Sequence, residues 1–117
     1  MKIDTDPKKI EEILSRSVVN IYPTPDLLKK ALLSGKRLRI FSGADATGPN
    51  LHIGHATNFM ILEKLRQLGH EIIILFGDFT AKIGDPTGKA SARQSLTDKE
   101  INKNIRSWKR LISKIIK

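Results

Sequence analysis

The chain has 117 residues, enough for one modest domain that would bury roughly two-thirds of the surface of its unfolded chain. It contains no cysteine, which excludes disulfides and thiolate metal sites, and we expect a cytoplasmic protein. The 21 basic residues outnumber the 12 acidic ones for a net charge of +9, and the longest apolar run, residues 72–76, is too short to cross a membrane.

Two short helices are predicted at the start of the chain. Asp6, followed by proline, has the pattern of an N-cap, and apolar residues at helical spacing continue to about Ser17. Thr24, also followed by proline, repeats this start signal, and Gly35 stands where a C-terminal cap belongs. We expect residues 1–33 to be helices whose role is packing.

A strand, a helix and a second strand are predicted next. Residues 37–41 have a strand pattern, and the glycine- and proline-containing residues 42–50 indicate a loop. Gly69 closes the helix that follows, whose apolar stripe is Phe59, Leu62, Leu65 and Leu68. Residues 72–76 are rich in β-branched side chains, which is typical of a parallel strand buried on both faces. By strong precedent, the crossover in a strand–helix–strand unit of this kind is right-handed. We expect His70, just past the helix end, to be a cap or a surface residue.

The last predicted helix begins with a capping box formed by Thr97 and Glu100. Its apolar face contains Ile101, Ile105, Trp108, Leu111, Ile112 and Ile115. We interpret Trp108 as a core residue, or as part of a face for absent structure, rather than a stacking platform. Residues 98–117 hold seven basic and two acidic side chains, a net charge of +5. This charge is typical of a solvated helix face, which we favour, or of a surface that attracts nucleic-acid phosphates.

The run Leu51-His52-Ile53-Gly54-His55 stands at the head of the central helix and carries the strongest chemical signal. A helix N-terminus supplies partial positive charge and N–H groups, and two imidazoles one turn apart add donors suited to the polyphosphate of ATP. Gly54 would let a flat nucleobase lie against the backbone. The pattern therefore predicts adenylyl transfer, although two histidines on one helix face also occur as caps or packing residues.

Two motifs together resemble a known family. From Phe41 the chain reads Phe-Ser-Gly-Ala-Asp-Ala-Thr-Gly-Pro-Asn-Leu-His-Ile-Gly-His, and residues 84–89 read Gly-Asp-Pro-Thr-Gly-Lys. The first is similar to the HIGH motif of class I aminoacyl-tRNA synthetases, and the second is similar to a segment of their tyrosyl branch of the bacterial kind. The resemblance covers residues 34–100 and, more loosely, the helices before them.

The resemblance implies a fold and an extent. The expected class is α/β, a partial Rossmann-like (HUP-type) parallel sheet with flanking helices, preceded by short N-terminal helices. Residues 1–117 would be a single domain, the N-terminal portion of a synthetase catalytic domain. Within it, residues 1–33 would be the N-terminal helices and residues 34–117 the first half of the nucleotide-binding fold. Loops at the carboxyl ends of both strands would then share one cleft.

The resemblance also implies a function in protein biosynthesis. A ligase of this kind activates tyrosine with ATP to tyrosyl-adenylate and transfers the aminoacyl group to tRNA(Tyr). Mg²⁺ would accompany the ATP phosphates, the full-length protein would be a homodimer, and no membrane would be involved. Because the late lysine-rich Met-Ser loop of the family has no match before Lys117, we expect this chain to be a fragment.

By resemblance, a group of residues would handle the phosphates. Thr47 and His52 would donate to the terminal phosphate, and His55 would contact the ribose side of the nucleotide. Lys89 and Arg93 would lie on a mobile loop that closes over pyrophosphate. An exposed basic loop is the alternative interpretation of those two residues.

A second group would hold the nucleotide and the amino acid. Close backbone approach to ATP would need glycine at Gly43 and Gly54 and at positions 48, 77, 84 and 88, each of which is also compatible with an ordinary turn. Asp45 would orient the substrates, and Asp85 would pair with the α-ammonium unless it only forms an Asp-Pro turn. Phe41 stands where many tyrosyl enzymes have a tyrosine that helps to read the substrate phenol.

Two other functions fit the same residues. A small nucleotidyltransferase shares the His-x-Gly-His logic at about this length, but it leaves residues 84–89 unexplained. A non-catalytic basic module would use the histidines only to bind ATP or RNA. No metal site on the protein itself is predicted.

Overall fold

The computed structural model describes residues 2–16, 18–83 and 96–117. Its elements in chain order are α1 (Pro7–Ser15), α2 (Pro25–Leu33), β1 (Arg39–Asp45), α3 (Ile53–Gln67), β2 (Glu71–Gly77), α4 (Phe79–Ile83) and α5 (Asp98–Ile112). Strands β1 and β2 pair in a two-stranded parallel sheet with flanking helices, so the expected α/β class is confirmed. Within the described ranges, none of the helices has the length and apolar character that crossing a bilayer demands.

The chain divides into two compact units. The first unit comprises Met1–Ile40 and Met60–Ile73, and the second comprises Phe41–Phe59 and Ile74–Lys117. The boundaries fall inside β1, α3 and β2, so each of these three elements contributes residues to both units.

The first unit begins with the two helices expected from their caps. The Asp6 side chain accepts a hydrogen bond from the Lys8 N–H at 2.8 Å, and the Thr24 hydroxyl accepts one from the Leu27 N–H at 3.3 Å. A proline follows each cap at the first helical position, where its missing N–H costs nothing. Gly35 has a φ of +72°, the left-handed conformation that ends a helix at low cost in glycine.

The core of the first unit consists of apolar residues from α1, α2, α3 and the position directly after α3. Its buried members are Ile10, Ile13, Leu32, Leu65 and Leu68, and half-buried aliphatic side chains surround them. Ile10 and Leu32 are completely buried, and burying a side chain of this size stabilises a fold by roughly 1.5–3 kcal/mol. Gly69 has a φ of +101°, so the chain reverses there after α3 as expected.

His70 is buried, so the expectation of a surface residue is wrong. Only 2% of the side chain is exposed. The Leu38 N–H donates to its Nδ1 at 3.3 Å, and the Glu71 N–H donates to the Leu38 carbonyl at 2.9 Å. His70 is therefore drawn inward by the backbone pairing that begins β2. Its Nε2 has no partner in the described part of the chain, and burial lowers the pKa of the imidazole.

The second unit departs from the sequence predictions at its strands. β1 extends to Asp45, so residues 42–45, expected in a loop, are strand, because pairing with β2 overrides their weak strand propensity. Strand β2 is not buried on both faces. The ring centroids of Phe76 and of Trp108 in α5 are 6.4 Å apart, so one face of the strand is covered. Leu75, on the opposite face, is 49% exposed. The segment after β2, also expected as loop, begins with the short helix α4.

Helix α5 follows its prediction closely. The Thr97 hydroxyl accepts from the Glu100 N–H, and the Glu100 carboxylate accepts from the Thr97 N–H at 2.8 Å, which completes the capping box. One face of the helix is buried and the other is exposed and basic. The buried residues are Ile101, Asn104, Trp108 and Ile112, so the interpretation of Trp108 as core is confirmed.

Candidate active site

The two histidines of the HIGH-like motif lie side by side at the start of α3. His52 is the N-cap, because its carbonyl accepts the N–H groups of His55 at 2.9 Å and Ala56 at 3.3 Å. The imidazole centroids of His52 and His55 are 3.9 Å apart. His52 is exposed and His55 is half-buried, so neither imidazole is enclosed in an apolar interior.

Backbone N–H groups fix which ring nitrogen of each histidine can donate. The Gly54 N–H donates to Nδ1 of His52 at 3.2 Å, and the His52 N–H donates to Nδ1 of His55 at 3.2 Å. A nitrogen that accepts an N–H carries no proton of its own, so each neutral ring carries its proton on Nε2. The pair therefore presents two Nε2–H donors. The helix offers fewer unpaired N–H groups than expected, because those of Gly54 and His55 are already bonded.

Gly54 has a structural reason beyond access for a nucleobase. A Cβ at this position would lie 3.0 Å from both Cε1 and Nδ1 of His52. Such a distance is shorter than an ordinary contact between carbon atoms, for which the optimum is about 3.5–4.0 Å. The absence of a side chain at Gly54 therefore allows the imidazole of His52 to fold back over the helix end.

A cavity of about 440 Å³ opens at the ends of the two strands in the second unit. Its lining consists of Gly43, Ala44, Asp45, Leu75, Phe76, Gly77 and Thr80. The Thr80 hydroxyl donates to the Asp45 carboxylate at 2.5 Å, and a Cβ on Gly77 would overlap both of these groups. The cavity thus has a polar end with a fixed carboxylate and an apolar wall.

The structure brings part of the predicted site together around these features. Gly43 and Asp45 line the cavity, and Thr47 follows on an exposed loop where its N–H donates to the Asp45 carbonyl at 2.8 Å. Phe41 is 69% exposed and is not among the residues that line the cavity. The remaining predicted residues, Asp85, Lys89 and Arg93, lie outside the described residues.

Thr80 is a site residue that the sequence analysis missed. It lies on α4, within a segment predicted as loop, and a lone threonine there carries no motif. The hydroxyl contact with Asp45 spans 35 positions of the sequence, so only the fold reveals it.

The described residues hold no cluster suited to a metal ion. Across residues 2–16, 18–83 and 96–117, no three histidine or acidic side chains are grouped closely enough to share one.

The family follows from comparison with known proteins. The family described as "tRNA synthetases class I (W and Y)" matches residues 33–117. The chain belongs to this family. The predicted resemblance to class I synthetases is therefore confirmed.

Individual relatives of this class I synthetase chain are named tyrosine–tRNA ligase. The tyrosine–tRNA ligase of Moorella thermoacetica is 41% identical over 98% of this chain and 29% of its own length. That of Carboxydothermus hydrogenoformans is 44% identical over 93% of this chain and 27% of its own length. The chain thus spans less than a third of the relatives it matches, and the predicted likeness to the tyrosyl branch is confirmed.

Solved structures agree with the sequence relatives. A C-terminally truncated mitochondrial tyrosyl-tRNA synthetase from Aspergillus nidulans superimposes with a TM-score of 0.72 at 29% identity, covering 93% of this chain and 31% of that one. The corresponding protein from Coccidioides posadasii gives a TM-score of 0.60 at 37% identity, covering 90% and 27%. Both likenesses support the class I synthetase fold.

Proposed function

We propose that this class I synthetase chain is the N-terminal portion of the catalytic domain of a tyrosine–tRNA ligase. Residues 1–33 contribute its N-terminal helices, and residues 34–117 contribute the first half of its nucleotide-binding fold. The ligase activates tyrosine with ATP and transfers the aminoacyl group to tRNA(Tyr) in protein synthesis. The observation that carries the proposal is the pair of imidazoles at the start of α3 with both Nδ1 atoms occupied and both Nε2 atoms left to donate.

The first step needs alignment and countercharge rather than a general base. A carboxylate oxygen of tyrosine forms a bond to the α-phosphorus of ATP, and the bond from that phosphorus to the bridging oxygen of pyrophosphate breaks. The nucleophile is already ionised. Donors that meet the negative charge growing on the leaving group therefore lower the barrier, and they are most effective when they are held in place beforehand.

The histidines and the loop before them are proposed to hold the nucleotide. Thr47 and the Nε2–H of His52 donate to the terminal phosphate, and the Nε2–H of His55 contacts the ribose side. Gly43 and Gly54 keep the backbone open to the nucleotide. Lys89 and Arg93 close over pyrophosphate as it leaves.

The cavity beside Asp45 is proposed to hold the amino acid. Its volume of about 440 Å³ is within the range of small-molecule pockets, roughly 300–1,000 Å³. The hydrogen bond from Thr80 orients the Asp45 carboxylate near the reacting carboxylate of the substrate. Asp85 pairs with the α-ammonium, and Phe41 is proposed as a further substrate contact outside the cavity lining, without a hydroxyl to read the phenol.

Three further features belong to the same proposal. Mg²⁺ arrives bound to the ATP phosphates. The full-length protein is a homodimer. It acts in the cytoplasm.

The test is tyrosine-dependent exchange of labelled pyrophosphate into ATP by the full-length ligase of which this chain is proposed to be the N-terminal portion. The proposal predicts exchange that requires tyrosine and that falls when His52 is replaced by alanine. Val19→Ala, at a position 94% exposed in the first unit, serves as the control and leaves the rate unchanged. Exchange that requires a different acceptor would favour a small nucleotidyltransferase. Binding of ATP or RNA without any exchange would favour a non-catalytic module.

A further inference from the structure

Two buried polar side chains of α5 bond to the backbone of the loop that carries Thr47. Asn104 is 7% exposed, and its Nδ2 donates to the Ala46 carbonyl at 2.9 Å. Trp108 is 4% exposed, and its Nε1 donates to the Gly48 carbonyl at 2.8 Å. The two donors are four residues apart and so lie on one face of the helix. They bond to the carbonyls on either side of Thr47.

These contacts fix residues 46–50, which belong to neither a strand nor a helix. Residues 46–50 follow the end of β1 and precede α3. The Thr47 N–H donates to the Asp45 carbonyl, and the bonds from Asn104 and Trp108 then hold the next carbonyls. The path of the backbone through Thr47 is thus defined by three hydrogen bonds, two of them from α5.

The indole of Trp108 also contacts His55 of the motif. Its ring centroid lies 5.7 Å from that of His55 with the planes tilted by 58°, within the range of favourable aromatic contacts. The same indole lies edge-on to Phe76 of β2. One side chain therefore contacts the loop, an imidazole of the motif and the strand that lines the cavity.

Packing alone would be served as well by apolar residues at both positions. A buried amide or indole N–H is costly unless it is hydrogen-bonded, and both donors here satisfy that need with carbonyls of one loop. From this geometry we propose that Asn104 and Trp108 are positioning residues. They fix the backbone at Thr47 and the ring of His55 in the arrangement that receives ATP. This inference rests on the proposed function only for the identity of the ligand.

Two substitutions separate positioning from packing. Trp108→Phe keeps an aromatic ring in the core but removes the donor to Gly48. Asn104→Asp keeps the shape and replaces the donor by an oxygen that faces the Ala46 carbonyl. Ile101→Val is the control on the same buried face, because it removes one methyl group and no hydrogen bond. Thermal unfolding of all three shows whether each variant is folded at the assay temperature.

The first measurement needs no nucleotide. Amide hydrogen exchange at Thr47 should accelerate about tenfold in Trp108→Phe and Asn104→Asp, as expected when one hydrogen bond is lost. In Trp108→Phe the imidazole resonances of His55 should also move. Ile101→Val should leave both unchanged. If one of the two variants does not fold, the other decides the result.

The second measurement is pyrophosphate exchange by the same variants. The KM for ATP should rise about tenfold while the KM for tyrosine stays within twofold of the starting value, which a general loss of stability would not produce. If the full-length ligase of which this chain is proposed to be a part shows no tyrosine-dependent exchange, the proposed function fails, and the Thr47 amide alone decides whether α5 holds the loop. Unchanged Thr47 exchange in both folded variants overturns the inference.

Discussion

Replacing Gly54 with alanine should uncouple the chemistry of the site from the stability of the fold. The new Cβ would stand 3.0 Å from two atoms of the His52 imidazole, so the ring must shift by a few tenths of an ångström. This shift lengthens the hydrogen bond from the Gly54 N–H to Nδ1 of His52, which is already 3.2 Å. The weaker bond holds the His52 proton on Nε2 less firmly and changes the direction of Nε2.

The expected change in the free energy of unfolding is small because two effects oppose each other. Alanine is favoured over glycine in a helix interior by about 1 kcal/mol, and by less at the second helical position, where Gly54 stands. Loss of a side-chain cap costs about 0.5–2 kcal/mol. The net change should therefore lie between a slight stabilisation and a destabilisation of less than about 2 kcal/mol.

The assay combines urea unfolding with ¹⁵N spectra of the imidazoles and pyrophosphate exchange. The variant should have a urea midpoint close to that of the parent. The ¹⁵N chemical shifts of its His52 ring should change, and its pyrophosphate exchange should be much slower. Gly48→Ala is the spectroscopic control, since a Cβ there meets no atom within 4 Å, and its His52 signals should not move. Unchanged ¹⁵N chemical shifts of the His52 ring in Gly54→Ala would refute the reasoning.

Three further predictions concern single side chains. His52→Ala should slow adenylate formation by about 10²–10³, as for other transition-state donors, with tyrosine affinity nearly unchanged; equal losses in both, measured by exchange and by calorimetry, would contradict the assigned role. Burial lowers the pKa of His70 below 6.5, so the unfolded chain binds more protons and stability should be highest above pH 6.5 and fall as the solution is acidified below it. Urea titrations at pH 7.5 and 5.5 should show this loss in the parent and a smaller one in His70→Gln, and equal losses would argue against it. Thr97→Ala removes the capping box of α5 and should lower stability by about 0.5–2 kcal/mol, whereas an unchanged urea midpoint would show that the cap contributes nothing.

Local signals in the sequence predicted the helices well. Asp6 and Thr24 with their prolines, Gly35 and Gly69 at helix ends, and the capping box at Thr97 each act through neighbouring backbone groups, so their effect does not depend on distant residues. The apolar faces of α3 and α5 were equally readable, because the spacing of 3.6 residues is a property of the helix itself.

The strands and the burial of His70 were less predictable because they depend on long-range pairing. Residues 42–45 have weak strand propensity and become strand only because β2 lies beside them. The exposed side chain of Leu75 shows that an apolar run does not report which of its faces is covered. His70 is held by Leu38, 32 positions away.

The features of the site also divide into those visible in the sequence and those that only the fold reveals. The His52 and His55 motif was visible in the sequence, since the two residues and their helix are contiguous. Their donor atoms were not, because Nε2 was identified only from the backbone bonds to Nδ1. The contacts of Asn104 and Trp108 with the loop span 58 and 60 positions, and no local pattern reveals them.

The central claim is that the two imidazoles of the motif receive the phosphates and ribose of ATP through Nε2. The chain has only three histidines, so their ¹⁵N resonances can be followed individually while ATP is added, with buried His70 as the internal reference. The Nε2 resonances of His52 and His55 should change their chemical shifts together and reach saturation at the same ATP concentration. The resonances of His70 should not change. ATP binding that leaves both Nε2 signals unmoved, or no ATP binding at all, would contradict the account.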